Sequence, residues 1–244
     1  MGDNGFYITL PSNACKEIFP QNTNANFTTL LPQPLDLSGA WEVGLAEIQY
    51  PRSWYTLTEN AMFYIYQDAT KWGFLLHRGY YKSIQSVLDE MNDNIKVAID
   101  PPKIRFVYDP VKGKVRFIGE NTYKFSATGG LAHLLGLPPD VPVDKIDHAA
   151  DITGGVSAMY LYTDIIEHQI VGDSSVPLLR CIPVRGETYE CVTITYDKPH
   201  YMLMSKSHIN TISIEIKTDQ NQHVPFNWGK VVVRLHVRPR RGYF

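Results

Sequence analysis

Hydrophobic and polar residues alternate with a period of two along much of the chain. In residues 230–238, Val231, Val233, Leu235 and Val237 take every second position, and mostly basic side chains take the positions between them. A period of two predicts a strand with one buried face and one wet face. Further segments with strand character are 6–10, 27–31, 41–50, 62–67, 74–77, 158–166, 178–184, 191–196 and 211–217. Many short strands separated by turns predict a β-sandwich or a jelly roll.

Residues 81–150 interrupt this pattern. Apolar residues with helical spacing follow Ser83, which is a suitable N-cap, and a second short helix is expected at 131–135 before Gly136. Between the two helices, residues 104–118 have the pattern of a β-hairpin. The chain is therefore predicted to be all-β, with jelly-roll strands in residues 1–80 and 151–244 and an α+β insertion in residues 81–150.

Composition and charge are ordinary for a globular protein. Hydrophobic residues make up 44% of the 244 residues, and the net charge of −2 gives no overall attraction to nucleic acid or to a membrane. The three cysteines form no C-x-x-C pair, which argues against a disulfide scaffold and favours reduced thiols in an intracellular assembly site. The N-terminus lacks the apolar core of a signal peptide, and no apolar stretch is long enough to span a membrane.

Motifs for catalysis and cofactor binding are missing from the sequence. The eight histidines form neither His-x-His nor His-Glu-x-x-His, Ser157 does not complete a G-x-S-x-G elbow, and no glycine loop for phosphate is present. Asp144, Asp147, His148 and Asp151 form an acidic cluster with an imidazole, but Pro and Gly on either side favour a solvated loop. We expect no catalytic residues, no metal site and no cofactor.

The C-terminal strand and tail form the strongest local charge. The candidate interaction residues are Arg234, Arg238, Arg240 and Arg241, which share this segment with Lys230 and His236 and with no acidic residue. One interpretation is a contact with DNA or with an acidic neighbour, and the other is a solvated face followed by a mobile tail.

Several segments carry a resemblance to a known family. They are the strand 41–50, with its turn at Ser38-Gly39 and its stop at Pro51, the upstream segments 6–14, 19–23 and 26–31, and the later segments 160–173 and 177–184. Together these segments resemble the minor capsid (penton) protein of Polinton, or Maverick, elements and related adintoviruses. The resemblance implies a single jelly roll that closes the five-fold vertices of an icosahedral capsid. It further implies a homopentamer, a double-jelly-roll major capsid protein as partner, and location in the virion capsid.

Two alternatives remain open at this stage. A β-sandwich module that binds a carbohydrate or a receptor would use the insertion as its recognition surface. An enzyme on a β scaffold would need a site that the sequence motifs do not reveal.

Overall fold

The computed structural model describes residues 5–99, 103–120, 122–146 and 148–240. The chain divides into two compact units, of which unit 1 comprises Met1–Ser53 and Val156–Phe244, and unit 2 comprises Trp54–Gly155. The predicted strands 62–67 and 74–77 lie in unit 2, which is wider than the predicted insertion. The bounds 81–150 of the insertion stay a prediction.

Unit 1 consists of strands. They are β1 Phe6–Pro11, β2 Asn26–Asp36, β3 Trp41–Pro51, β9 Ala158–Thr163, β10 Gln169–Val171, β11 Ser174–Val176, β12 Leu178–Pro183, β13 Cys191–Thr195, β14 Tyr201–Leu203, β15 His208–Lys217 and β16 Val232–Pro239. Unit 2 combines strands and helices. They are β4 Ala61–Gln67, β5 Thr70–Leu76, α1 Ile84–Ala98, β6 Arg105–Asp109, β7 Lys114–Ile118, β8 Tyr123–Ala127 and α2 Gly129–Leu135.

The main strands of unit 1 form two antiparallel sheets. Sheet A has the order β1-β16-β3-β13, with β14 also paired to β3, and sheet B has the order β12-β9-β15-β2. When the short β14 and the β10–β11 hairpin are left out, consecutive strands of unit 1 lie in different sheets. The exception is β12, which follows β9 within sheet B. Two four-stranded sheets connected in this way are a jelly roll, so the predicted fold class is confirmed.

Alternation in the sequence explains which faces of the sheets are buried. Ile212, Ile214 and Ile216 of β15 are fully buried, as are Val233 and Leu235 of β16. The polar residues between them point to the opposite faces of sheets B and A. Burial of these side chains stabilises each sheet by roughly 1.5–3 kcal/mol per large residue.

Unit 2 has a core of its own. Its sheet has the order β5-β4-β8, and β6 and β7 form a separate hairpin. The predicted helix is present as α1, where Ser83 and Ser86 form a capping box and Ile84, Val87, Leu88, Met91 and Ile95 are buried. Aromatic rings fill the space between helix, sheet and hairpin, with Phe106 in edge contact with Phe63 and Phe125. The α+β character of the insertion is thereby confirmed.

Two smaller features bear on the sequence-based expectations. Cys15, Cys181 and Cys191 are free thiols. Within the described ranges, neither helix has the length and apolar character needed to cross a membrane.

Candidate interaction surface

The basic strand β16 lies in the middle of sheet A, between β1 and β3. Its residues Val233, Leu235 and Val237 face the buried side, so Arg234, His236 and Arg238 project from the outer face. The register places Tyr7 of β1 opposite His236, and Gly44 of β3 opposite the same residue on the other side. The sequence therefore predicted correctly which side chains of β16 share a face.

These side chains form a stack that we call the aromatic ladder: Arg234, Tyr7, His236, Tyr201 and Arg238. The guanidinium of Arg234 lies 4.4 Å from the centre of the Tyr7 ring. The His236 ring lies 4.6 Å from the ring of Tyr7 and 5.8 Å from that of Tyr201, measured between ring centres. At the other end, the guanidinium of Arg238 lies 3.5 Å from the centre of the Tyr201 ring. Cation–π contacts thus terminate both ends of the ladder.

His236 is buried although it lies on the outer face of the sheet. Only 7% of it is exposed, and its Nδ1 shares a hydrogen bond of 2.7 Å with the Tyr201 hydroxyl. Gly5 covers the other ring nitrogen so closely that a Cβ at this position would lie 2.4 Å from Nε2. The imidazole consequently acts as the fixed centre of the ladder.

Gly44 creates the space for Tyr201. A Cβ on Gly44 would lie 2.8 Å from Cβ of Pro199 and 2.9 Å from the carbonyl oxygen of His200. The segment 197–201 can pack against β3 at this position only because residue 44 has no side chain. A larger residue would have to displace that segment and Tyr201 with it.

The two arginines at the ends of the ladder differ in their electrostatic environment. Nε of Arg238 donates a hydrogen bond of 2.6 Å to Oε1 of Glu42, and the side chains are 20% and 16% exposed. Arg234 is exposed and has no ion pair with any other described residue. Arg238 therefore holds β16 to β3 within the chain, whereas Arg234 presents a free positive charge at the surface.

The remaining predicted interaction residues lie at the end of β16. The backbone N–H of Arg240 donates to the carbonyl oxygen of Ala40 at 2.8 Å, so the backbone remains paired beyond the end of the strand, and the side chain is exposed. The expectation of a mobile tail stays a prediction. Arg241 lies outside the described residues.

A recess of about 420 Å³ lies beside the aromatic ladder. Its walls include Tyr7, Tyr201 and Arg234 of the ladder, and Glu47 and Asp197 contribute acidic groups. The wall of this recess thus combines aromatic area with the positive charge of Arg234 and the carboxylates of Glu47 and Asp197. Aromatic residues and arginine are enriched where proteins contact one another, which makes this face a candidate for such a contact.

Sheet B carries a second charged cluster on its outer face. Glu215 accepts hydrogen bonds from His223 at 2.7 Å and is paired with Lys217 at 3.1 Å. Partial burial alone would raise the pKa of this carboxyl. The hydrogen bonds from His223 and Lys217 and the positive charges of these two residues have the larger combined effect, so the pKa is lowered from its ordinary value.

The acidic cluster with His148 lies in a loop of unit 2. The carboxylate of Asp151 accepts hydrogen bonds from the backbone N–H and the hydroxyl of Thr153, at 2.8 Å and 3.1 Å, which fixes a turn. Asp144 and His148 are exposed, and Asp147 lies outside the described residues. Among the residues that the structure describes, no three His, Cys, Asp or Glu side chains converge as metal ligands would.

Sequence reasoning missed the partners of the basic strand. Tyr7, which contacts Arg234, precedes it by most of the chain. Glu42, which pairs with Arg238, is 196 residues away from that arginine. Alternation within β1 and β3 gives the face of each side chain, but the pairing register between distant strands is needed to bring them together.

The fold can be compared with those of solved structures. Unit 1 is a single jelly roll, and unit 2 is an α+β insertion between its strands β3 and β9. The crystal structure of the mavirus penton protein is similar to this chain, with a TM-score of 0.57 over 96% of this chain and 99% of that one, at 9% sequence identity. The resemblance to a penton protein is thereby confirmed at the level of the fold.

Other comparisons add little. The D2–D3 domains of the flagellar cap protein FliD from Escherichia coli align over 96% of the chain at 11% identity, with a TM-score of 0.24, which is too low to indicate a shared fold. No family model matches the chain, and no curated protein is similar to it in sequence.

Proposed function

We propose that the chain is a penton-type minor capsid subunit, a structural protein of the virion encoded by a Polinton-like element. The observation that carries the proposal is the jelly-roll strand order of unit 1, together with the alignment of nearly the whole chain with a virus penton protein. Its role is self-association and docking rather than turnover of a substrate. Its partners are further copies of itself and a double-jelly-roll major capsid protein.

The outer face of sheet A is proposed as one of the surfaces that neighbouring copies bury. A closed ring of five subunits uses two different patches on each subunit, because every interface in such a ring is heterologous. Tyr7 is 56% exposed and Arg234 is free, and both project from this face. An interface of more than roughly 1,000 Å² is needed for a ring that is stable outside a capsid.

The proposal for the tail concerns Arg240 and Arg241. The exposed side chain of Arg240 is available for a phosphate backbone or an acidic neighbour. Such a contact weakens as salt is added, because exposed charges are screened.

Mass photometry and negative-stain imaging of the purified chain test the assembly. We expect a five-lobed particle with five times the chain mass of 27.8 kDa, which dissociates on dilution. Arg234→Ala should weaken the ring, whereas Lys16→Ala, which removes an equal charge from another exposed position of unit 1, should not. A stable two-fold dimer at all concentrations would reject the vertex assignment.

A further inference from the structure

Positive charge is concentrated in one hairpin of unit 2. Residues 103–118 contain five Lys or Arg residues and one acidic residue, whereas the rest of residues 54–155 contains six basic and eleven acidic residues. A solvated surface without a partner needs no such separation, since mixed charges keep a protein soluble equally well. The segregation points to a ligand with the opposite charge.

The hairpin directs its basic side chains away from the core. Phe106 of β6 pairs with Phe117 of β7, and both rings contact Phe125 in the core of unit 2. Arg105 and Arg116 occupy the opposite face, on different strands and two positions apart in register. Diagonal neighbours of this kind are about 7–8 Å apart, so two guanidinium groups can bind consecutive anionic groups of one chain.

Three cations of this face are available for a ligand. Lys103, Arg105 and Arg116 are exposed, and none has an ion pair with another described residue. The hairpin's one carboxylate, on Asp109, accepts hydrogen bonds from the backbone N–H groups of Val111 and Lys112 and so stabilises the turn. The hairpin's own carboxylate therefore does not neutralise Lys103, Arg105 or Arg116.

A recess continues the basic face toward helix α1. It has a volume of about 420 Å³ and is lined by Lys96, Lys103, Arg105, Ile104, Ile118 and Asn92. The Asn92 amide is already engaged, donating to the carbonyl oxygen of Phe106 at 2.9 Å and accepting from its N–H at 2.8 Å. Lys103 and Arg105 thus supply the free polar groups, beside aliphatic walls.

We propose that the outer face of the β6–β7 hairpin binds a linear sulfated polysaccharide. The guanidinium group of arginine can donate two parallel hydrogen bonds to two oxygens of one anionic group, and a sulfate ester offers such a pair of oxygens. The outward positions between the cations are aliphatic, Val107 and Ile118, and provide no ring on which a nucleotide base would stack. A single polysaccharide chain can follow a basic strip about 17 Å long, the length of a five-residue strand, while avoiding the acidic remainder of the unit.

Binding of the full chain to a heparin dodecasaccharide, measured by titration calorimetry at several salt concentrations, tests this inference. The double variant R105A/R116A should bind at least about tenfold more weakly. The slope of its log affinity against log salt concentration should be smaller by about two, because two cations are removed. The matched control K82A/K124A removes two exposed positive charges from the same unit outside the hairpin and should bind like the parent chain. N- and O-desulfated heparin should not bind.

Three outcomes would overturn the proposal: equal losses in the two double variants, undiminished binding of desulfated heparin, or tighter binding of a DNA duplex of matched charge. Near-UV circular dichroism checks that each variant is folded. If R105A/R116A does not fold, the variant Lys103→Ala takes its place, since Lys103 lies before the hairpin. This variant must then weaken heparin binding. Ring formation, measured on the same samples, is an independent readout, so failure here is distinguishable from failure of the capsid assignment.

Discussion

Replacing Arg238 by alanine should destabilise unit 1, because this side chain joins two strands of sheet A. The change removes a hydrogen-bonded ion pair of 2.6 Å with Glu42 and a cation–π contact of 3.5 Å with Tyr201. Hydrogen bonds to charged groups contribute about 1.5–3 kcal/mol, and cation–π contacts that are partly desolvated contribute about 1–2 kcal/mol. The side chains of Arg238 and Glu42 are 20% and 16% exposed, so solvent screens the pair less than an exposed ion pair.

We therefore expect R238A to lower the free energy of unfolding by about 2–4 kcal/mol, part of which is the cost of leaving Glu42 without its partner. At roughly 2–4 °C per kcal/mol for a chain of this size, the melting temperature should fall by at least about 4 °C. Differential scanning calorimetry at low and high salt measures the change. If β16 presented only a solvated face, the same change would have little effect, because exposed charges contribute little to stability.

The matched control is R240A. Arg240 has an exposed side chain, and its hydrogen bond to another described residue is made by the backbone N–H, so this change should stay within about 0.5 kcal/mol. A double-mutant cycle with Glu42→Gln should show a coupling energy of about 1–2 kcal/mol between the two positions. Equal losses in R238A and R240A, or a coupling energy near zero, would refute the reasoning.

Three further predictions concern other parts of the chain. Gly44→Val should cost about 1–3 kcal/mol of unfolding free energy, measured by calorimetry, because the new side chain would overlap Pro199 and His200. Gly79→Ala should be tolerated, since its Cβ would meet nothing closer than 3.5 Å. Glu215→Gln should lower the free energy of unfolding at pH values above 4.5, the ordinary pKa of this carboxyl. The folded-state pKa is lower than that value, so the stabilisation by the charged carboxylate is lost as the pH falls through the folded-state pKa. Equal unfolding curves for variant and parent at pH 7 would contradict this prediction. Replacing residues 54–155 by a Gly/Ser linker should leave a cooperative thermal transition. Replacing only residues 81–150 should give an aggregating product, because β4 and β5 would lose β8 and the helices that cover them.

The sequence predicted those elements in which local pattern and tertiary burial agree. Alternation in β15 and β16 gave both the strands and their buried faces, and the spacing from Ile84 to Ile95 gave the buried side of α1. Three-residue strands such as β14 were not predicted, because a period cannot be recognised over so few positions. Their existence depends on pairing with a longer strand that is distant in sequence, here β3.

The candidate surface was predictable in part. The sequence showed that Arg234 and Arg238 share the wet face of a strand, but it could not show that one of them is paired. That difference arises from Glu42, which reaches Arg238 because β3 and β16 are neighbours in sheet A. Burial of His236 on the same wet face depends in turn on Gly5 and Tyr201, which belong to other strands and loops.

The division of the chain into two units separates the two proposed surfaces. The aromatic ladder is built on β1, β3, β14 and β16 of unit 1, whereas the basic hairpin and its supporting rings all belong to unit 2. Changes at positions that share no partners have additive effects on free energy. Arg238→Ala should therefore leave heparin affinity unchanged, and R105A/R116A should leave the melting of unit 1 unchanged. A loss of affinity in R238A, at a temperature where unit 1 is still folded, would show that the two surfaces are energetically coupled.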